Sequence, residues 1–84
     1  MDSEEAIRRA GRAAQIMDEP LVREAIDGIT NYVENGWRES AVDDAAGREE
    51  FYRLLLAVKM FKSFFQTVID GGKIAQANKP GEVL

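Results

Sequence analysis

Carboxylates are the side chains in this sequence whose types and spacing could do chemistry. Adjacent pairs occur at Asp43-Asp44 and Glu49-Glu50, and paired carboxylates serve in acid–base catalysis and in sites for hard metal ions. Adjacent side chains diverge on a helix, and neither pair has the spacing of a calcium loop or of an ExxH ligand pair. We therefore expect these acids to cap a helix or to lie in solvent, with no catalytic and no metal-binding role.

The composition excludes most classes of enzyme. The 84 residues include no Cys and no His, so the chain lacks thiol nucleophiles, imidazole bases and the usual ligands of zinc, haem and iron–sulfur clusters. Its Gly71-Gly72-Lys73 follows a helical pattern and not a strand, unlike a phosphate-binding loop. The sequence predicts a protein that is not an enzyme and that uses no cofactor.

One basic cluster, Arg8, Arg9 and Arg12, is the candidate nucleic-acid site. The first and last of these arginines lie one helical turn apart, a spacing that suits phosphates. However, Glu4 and Glu5 precede two of them by four residues, which favours ion pairs within a helix. Acidic residues outnumber basic ones by 15 to 11, giving a net charge of −4. We therefore regard nucleic acid as an unlikely partner, and this site as weak.

The first predicted helix covers about residues 3–17. Asp2 or Ser3 can cap its first turn, and small apolar residues recur at three- and four-residue steps as far as Met17. Glu19 precedes Pro20 and is pushed away from helical dihedral angles, whereas proline is well tolerated at a first helical position. One helix is therefore expected to end here and another to begin at Pro20.

The second predicted helix covers residues 20–39. Val22, Ile26, Ile29 and Val33 form a clear amphipathic stripe that Trp37 extends. An Asn35-Gly36 terminus is the alternative, with a connector turn after it. Because Trp37 continues the stripe, the pattern favours a continuous helix.

The third predicted helix covers about residues 45–70, capped by Asp43 or Asp44 and ended or kinked by Gly71-Gly72. Residues 73–78 could add a last turn, and residues 79–84 are predicted to be a loose tail. Its apolar side chains form one broad face expected to pack on the rest of the chain: Phe51, Leu54, Leu55, Val58, Phe61, Phe65, Val68 and Ile69.

These patterns predict a single all-α domain over residues 1–84, an antiparallel hairpin of two long helices with a short N-terminal helix. The third helix carries eleven large apolar side chains, more than the second helix and the alanine-rich first helix can cover. We therefore predict a homo-oligomer in which Leu56, Met60 and Phe64 contact another chain. The alternative is a compact three-helix bundle in which the first segment folds across this face.

The Trp37-Arg38 pair is the other candidate contact with a protein partner. Tryptophan and arginine are enriched in binding hot spots, and the single Trp of the chain lies near the turn between the long helices. The alternative is that Trp37 closes the end of the hairpin against Phe51.

The longest apolar run, Leu54 to Val58, is too short to cross a membrane, and the N-terminus has no secretory-signal pattern.

Over residues 14–77 the chain resembles small helical proteins that tailed bacteriophages and prophages encode near their head and DNA-packaging genes. The resemblance implies a role in virion assembly or an accessory role, in the host cytoplasm during infection or in the virion. It transfers no catalytic residue. The residues that carry it are Asp18-Glu19-Pro20-Leu21, Ala25-Ile26, Tyr32, Trp37-Arg38-Glu39-Ser40, Asp44, Arg48-Glu49, Leu54, Ala57-Val58 and Val68-Ile69-Asp70-Gly71-Gly72-Lys73-Ile74-Ala75.

Three functions follow as hypotheses. The first is a structural or assembly protein that self-associates and docks on a larger phage or host protein. The second is a small acidic inhibitor of a host defence or nucleic-acid enzyme, in which Asp43, Asp44, Glu49 and Glu50 imitate phosphate charge. The third is a DNA-packaging recognition subunit that uses the arginine cluster.

Overall fold

The computed structural model describes residues 2–78, and within that range it has three helices and no strand. Helix α1 is Ser3–Asp18, α2 is Pro20–Glu39 and α3 is Ala45–Ala77. The all-α class is therefore confirmed. The predicted tail, residues 79–84, lies outside the described residues.

The junction of α1 and α2 follows the local chemistry of the sequence. Asp2 caps α1, since its Oδ1 accepts a hydrogen bond from the Glu5 amide at 2.7 Å. At the other end of α1, Glu19 has extended dihedral angles, φ −65° and ψ 124°. Proline at position 20 disfavours the helical conformation for the residue before it, and α2 begins at that proline.

Helix α2 continues through Gly36 to Glu39, as its apolar stripe predicts. A side chain at Gly36 would meet the Phe51 ring of α3, because a Cβ built there lies 2.5 Å from the ring carbon Cε1. This glycine therefore allows the two helices to approach each other closely near the turn, which explains its presence inside a helix despite its low helix propensity.

The connection between α2 and α3 is closed by side-chain hydrogen bonds. The Ser40 hydroxyl donates to the Trp37 carbonyl at 2.6 Å, after the last turn of α2. Asp44 Oδ1 accepts from the Gly47 amide at 2.9 Å. Of the two aspartates considered as caps, Asp44 is therefore the one that caps α3.

Helix α3 is longer than the sequence predicts. It does not end at about residue 70 but continues through Gly71 and Gly72 to Ala77. Gly72 is buried, and a Cβ there would overlap the Ala10 methyl group of α1. Packing against α1 thus stabilises this part of α3 and outweighs the cost of two glycines, about 1 kcal/mol each.

The helices group into two compact units, and α3 contributes to both. Unit 1 is Met1–Glu19 with Ser63–Leu84, and unit 2 is Pro20–Lys62. Ala13 and Gly72 are buried in unit 1, and Ile26 and Val33 are buried in unit 2. The sequence predicts one domain, and the described helices form two small packed regions, each with part of α3.

Candidate protein-interaction surfaces

Unit 2 has an apolar groove of about 520 Å³ between α2 and α3, which we call the unit 2 groove. Tyr32 of α2 lines it with 71% of its surface exposed, and Phe61 of α3 lines it with half of its surface exposed. None of the residues that line it carries a charge. They are Val22, Ala25, Ile26, Ile29, Tyr32, Val33, Leu54, Ala57, Val58 and Phe61.

Side-chain size explains why a groove is present here. Ile26 and Val33 lie seven residues apart on α2, on the face that is buried in unit 2. Beside them, Ala25 on α2 and Ala57 on α3 line the groove with methyl groups, where longer side chains would fill the space. The groove is therefore lined by both large and small apolar side chains.

This groove was not predicted from the sequence. By their spacing, Leu54 and Phe61 lie on the face of α3 that is expected to pack within the chain, and Ile29 lies on the amphipathic stripe of α2. All three are at least 40% exposed. Helical spacing gives the direction of each side chain but not the width of the face that a neighbouring helix covers. The alanines on both walls were the signal that could have indicated incomplete coverage.

A second cavity of unit 2, about 220 Å³, contains the predicted contact residue Trp37. Phe51 lines the same cavity, so the two aromatic side chains considered as a pair lie close together. Trp37 is nevertheless 55% exposed, and its ring remains accessible to a partner. Arg38 is exposed, and its Nη1 donates a hydrogen bond to Asn35 Oδ1 at 3.1 Å.

The other predicted contact residues are exposed in the single chain. In unit 2, 72% of Met60 and 40% of Leu56 is exposed, and neither residue lines the unit 2 groove or the Trp37 cavity. In unit 1, 60% of Phe64 is exposed, and its ring makes an edge-on contact with Phe65 at a centroid distance of 5.6 Å. These residues stay predicted contacts with another chain.

The arginine cluster is divided by the structure of unit 1. Arg9 and Arg12 line a cavity of about 150 Å³ together with Phe64 and Phe65, whereas Arg8 does not line it. This neighbourhood of basic and aromatic side chains was not apparent from the sequence, because the two kinds of residue come from α1 and from α3. It gives unit 1 a surface that is partly apolar and partly basic.

Two of the four paired carboxylates interact with neighbouring residues of α3. Asp44 caps α3, and Glu49 forms an ion pair with Arg53 one turn later, with Nε and Oε1 3.5 Å apart. Asp43 and Glu50 are exposed. Among residues 2–78, no cluster of three or more acidic residues could hold a metal ion.

No helix in the same range is long and apolar enough to cross a membrane.

Comparisons of this chain with models of protein families, with curated proteins and with solved structures found no match.

Proposed function

We propose that this protein is a non-enzymatic assembly protein that acts through its apolar helix faces, by binding further copies of itself and a larger protein component. The exposure of large apolar side chains carries this proposal. Within residues 2–78, Ala13, Ile26 and Val33 are the buried hydrophobic residues, whereas twelve large ones are exposed. A surface of this kind is typical of protein–protein contact sites.

The energetic balance supports association. Burying one large apolar side chain contributes roughly 1.5–3 kcal/mol, whereas a domain of this size has a net stability of about 5–10 kcal/mol. Covering even a few of the exposed side chains would therefore contribute as much as the whole of that net stability. Association with another chain supplies the cover that three helices alone do not provide.

The associating element in this proposal is an antiparallel hairpin made of α2 and the first part of α3. Two observations support the antiparallel direction. Gly36, near the end of α2, lies against Phe51, near the start of α3. At the opposite end, Val22 of α2 and Phe61 of α3 line one groove.

The proposed partner is a head or packaging component of a bacteriophage, and the proposed site of action is the host cytoplasm during infection or the virion. This part rests on the resemblance of residues 14–77 to small phage-encoded helical proteins. The proposed contact residues are Trp37, Arg38, Leu56, Met60 and Phe64, and all five side chains are exposed.

Sedimentation velocity of the full chain between about 1 and 100 µM tests self-association, since mass action shifts an oligomer toward monomer on dilution. We expect a species of at least twice 9.4 kDa at the upper concentration. A monomer throughout would contradict the proposal. Mass spectrometry of purified virions tests the structural role, which predicts stoichiometric amounts of the protein in the particles.

The acidic-inhibitor hypothesis predicts a different dependence on salt. Asp43, Glu49 and Glu50 are exposed near the start of α3, and a partner held by these charges would bind much more weakly at 200 mM than at 50 mM salt, about a factor of two in Debye length. A partner held by apolar contacts would bind about equally at both concentrations. Measuring the affinity of a captured partner at the two salt concentrations decides between the functions.

A further inference from the structure

We propose that the Trp37 cavity of unit 2 binds the guanidinium group of an arginine side chain from the larger protein partner. This inference rests on the proposed role of Trp37 as a contact residue, and it names the chemistry of the group that the cavity receives. The cavity has a volume of about 220 Å³, and three of its six lining residues are aromatic. The six are Val33, Glu34, Trp37, Phe51, Tyr52 and Leu55.

The aromatic side chains give the cavity walls that attract cations. Trp37 and Tyr52 are both about half exposed, so a group of another molecule can reach the two rings. The face of an aromatic ring carries negative potential, and tryptophan attracts a cation more strongly than tyrosine or phenylalanine does. Arginine is the basic side chain found most often over such rings, because its planar guanidinium is weakly hydrated and can stack on them. The walls therefore favour a guanidinium over an ammonium group.

Glu34 supplies a negative charge to the lining. It is the one charged residue among the six, and it is partly buried. Among residues 2–78 its carboxylate has no ion pair and no hydrogen bond. An apolar occupant would offer this carboxylate no partner, whereas a guanidinium can donate two parallel hydrogen bonds to a carboxylate. The charge of the lining is thus complementary to that of arginine.

The cation has to come from another molecule. Within residues 2–78, no basic residue lines the cavity. The two arginines that directly follow its aromatic residues in sequence have other partners. Arg38 donates a hydrogen bond to Asn35. Arg53 forms an ion pair with Glu49. Since the whole chain carries a net charge of −4, a basic segment of a partner is also attracted over a longer range.

The aromatic walls are held in place by contacts within unit 2. The Phe51 ring lies in the space that a side chain at Gly36 would occupy. The Ser40 hydroxyl donates to the Trp37 carbonyl at 2.6 Å, which fixes the end of α2. A site whose walls are already ordered loses less conformational entropy when an arginine side chain binds.

A pair of small probes tests the charge of the occupant. N-acetyl-arginine amide carries the guanidinium, and N-acetyl-citrulline amide is its neutral isostere. Trp37 is the single Trp of the chain, so its fluorescence reports binding directly. At constant ionic strength we expect saturable binding of the arginine amide with a dissociation constant on the order of 10 mM, at least about fivefold tighter than that of the citrulline amide.

The other outcomes of this titration would overturn the inference. They are equal binding of the two amides, or no saturable change with the arginine amide up to about 100 mM. Tighter binding of N-acetyl-norleucine amide would show that the cavity takes an apolar side chain. Tighter binding of choline would assign it to a small ammonium ligand and not to an arginine of a partner protein.

Two tyrosines of unit 2 provide a matched test of the aromatic wall. Tyr52 and Tyr32 are 52% and 71% exposed, but only Tyr52 lines the Trp37 cavity. Tyr52→Leu keeps an apolar side chain and removes the ring, so it should raise the dissociation constant of the arginine amide at least about threefold. Tyr32→Leu should change it less than about 1.5-fold. Equal effects of the two substitutions would contradict binding in this cavity.

Two glutamates of α2 test the charge in the same way. Glu34 lines the cavity and Glu24 does not, and both lie on α2. Glu34→Gln and Glu24→Gln remove the same charge, so a general attraction to the acidic chain would weaken equally in both. We expect a loss of affinity for the arginine amide of at least about threefold for Glu34→Gln and less than about 1.5-fold for Glu24→Gln. Equal losses would mean nonspecific attraction and overturn the site.

This inference and the proposed self-association can fail separately. Sedimentation velocity of the wild-type chain measures self-association, and the fluorescence titration at about 1 µM protein measures the cavity. A monomeric chain that binds the arginine amide with the expected preference would contradict self-association and support the cavity. A chain that self-associates but does not distinguish arginine from citrulline would overturn the cavity and leave the assembly role standing.

Discussion

The two units of this chain achieve helix packing in different ways, although α3 contributes to both. In unit 1, α1 approaches α3 through small residues, with Gly72 against Ala10 and with Ala13 buried. In unit 2, the branched side chains of Ile26 and Val33 are the buried contacts, and a large groove remains beside them. Close approach needs small side chains, whereas larger ones keep helix axes farther apart.

This difference has a functional consequence. The unit 1 cavity beside Phe64 is about 150 Å³ and has two arginines in its lining, whereas the unit 2 groove is about 520 Å³ and has none. In unit 1 the close contact at Gly72 should be damaged by added atoms, and in unit 2 the packing of Ile26 and Val33 should be damaged by removed atoms. Unit 2 is also the part that has most to gain from a second chain.

The largest expected effect is truncation of the unit 2 core. Ile26→Ala should lower the free energy of unfolding by about 2–4 kcal/mol, because Ile26 is buried and the chain has few residues that can fill the space. Urea denaturation followed by circular dichroism measures this loss.

The matched control for that truncation is Ile29→Ala, one turn along the same helix, where the isoleucine is half exposed. At low protein concentration we expect a loss of about 1 kcal/mol from this substitution. If the groove is an interface, the cost of Ile29→Ala will increase with protein concentration, and that of Ile26→Ala will change less. Equal costs at low concentration would contradict the assignment of Ile26 to the core.

An intermediate effect is expected from filling the close contact of unit 1. Gly72→Ala should lower the free energy of unfolding by about 1–3 kcal/mol, because its Cβ would overlap the Ala10 methyl group and the helices must move apart. The adjacent Gly71 has no atom within 4 Å of a built Cβ, so Gly71→Ala should raise stability by about 0.5–1 kcal/mol. Opposite signs in thermal or urea unfolding would support the comparison, whereas stabilisation by both would show that α1 does not pack closely there.

Local chemistry made the helix boundaries predictable wherever adjacent residues determine them. The cap of α1, predicted at Asp2 or Ser3, and the break before Pro20 each depend on residues within one turn. The structure places the cap at Asp2 and confirms the break. The C-terminal end of α3 was not predictable in this way. Whether Gly72 ends a helix or continues it depends on Ala10, which is distant in sequence and supplies the packing.

One of the candidate surfaces could likewise be predicted from the sequence, and the other could not. An excess of large apolar side chains on α3 is visible in the sequence, and the exposure of Met60 and Phe64 agrees with that excess. The unit 2 groove is not visible, because the spacing of Ile29, Leu54 and Phe61 is that of core residues. Their exposure follows from the position of the neighbouring helix, which periodicity does not give.

The smallest expected effect concerns the helix caps, which also show whether the units open independently. Asp2 caps α1 in unit 1, and Asp44 caps α3 in unit 2. Either aspartate changed to alanine should cost about 1 kcal/mol of stability, whereas Asp43→Ala should cost less, since Asp44 accepts the Gly47 amide.

Hydrogen exchange distinguishes the two caps further. If the units open separately, Asp2→Ala will increase exchange at the start of α1, and Asp44→Ala will increase it at the start of α3, each with little change in the other unit. Increased exchange in both units after either substitution would mean that α3 couples them into one cooperative structure. In that case the packing of each unit would still determine which substitutions damage it. A second copy bound to unit 2 would, however, stabilise unit 1 as well, because ligand binding stabilises the whole of a cooperative unit.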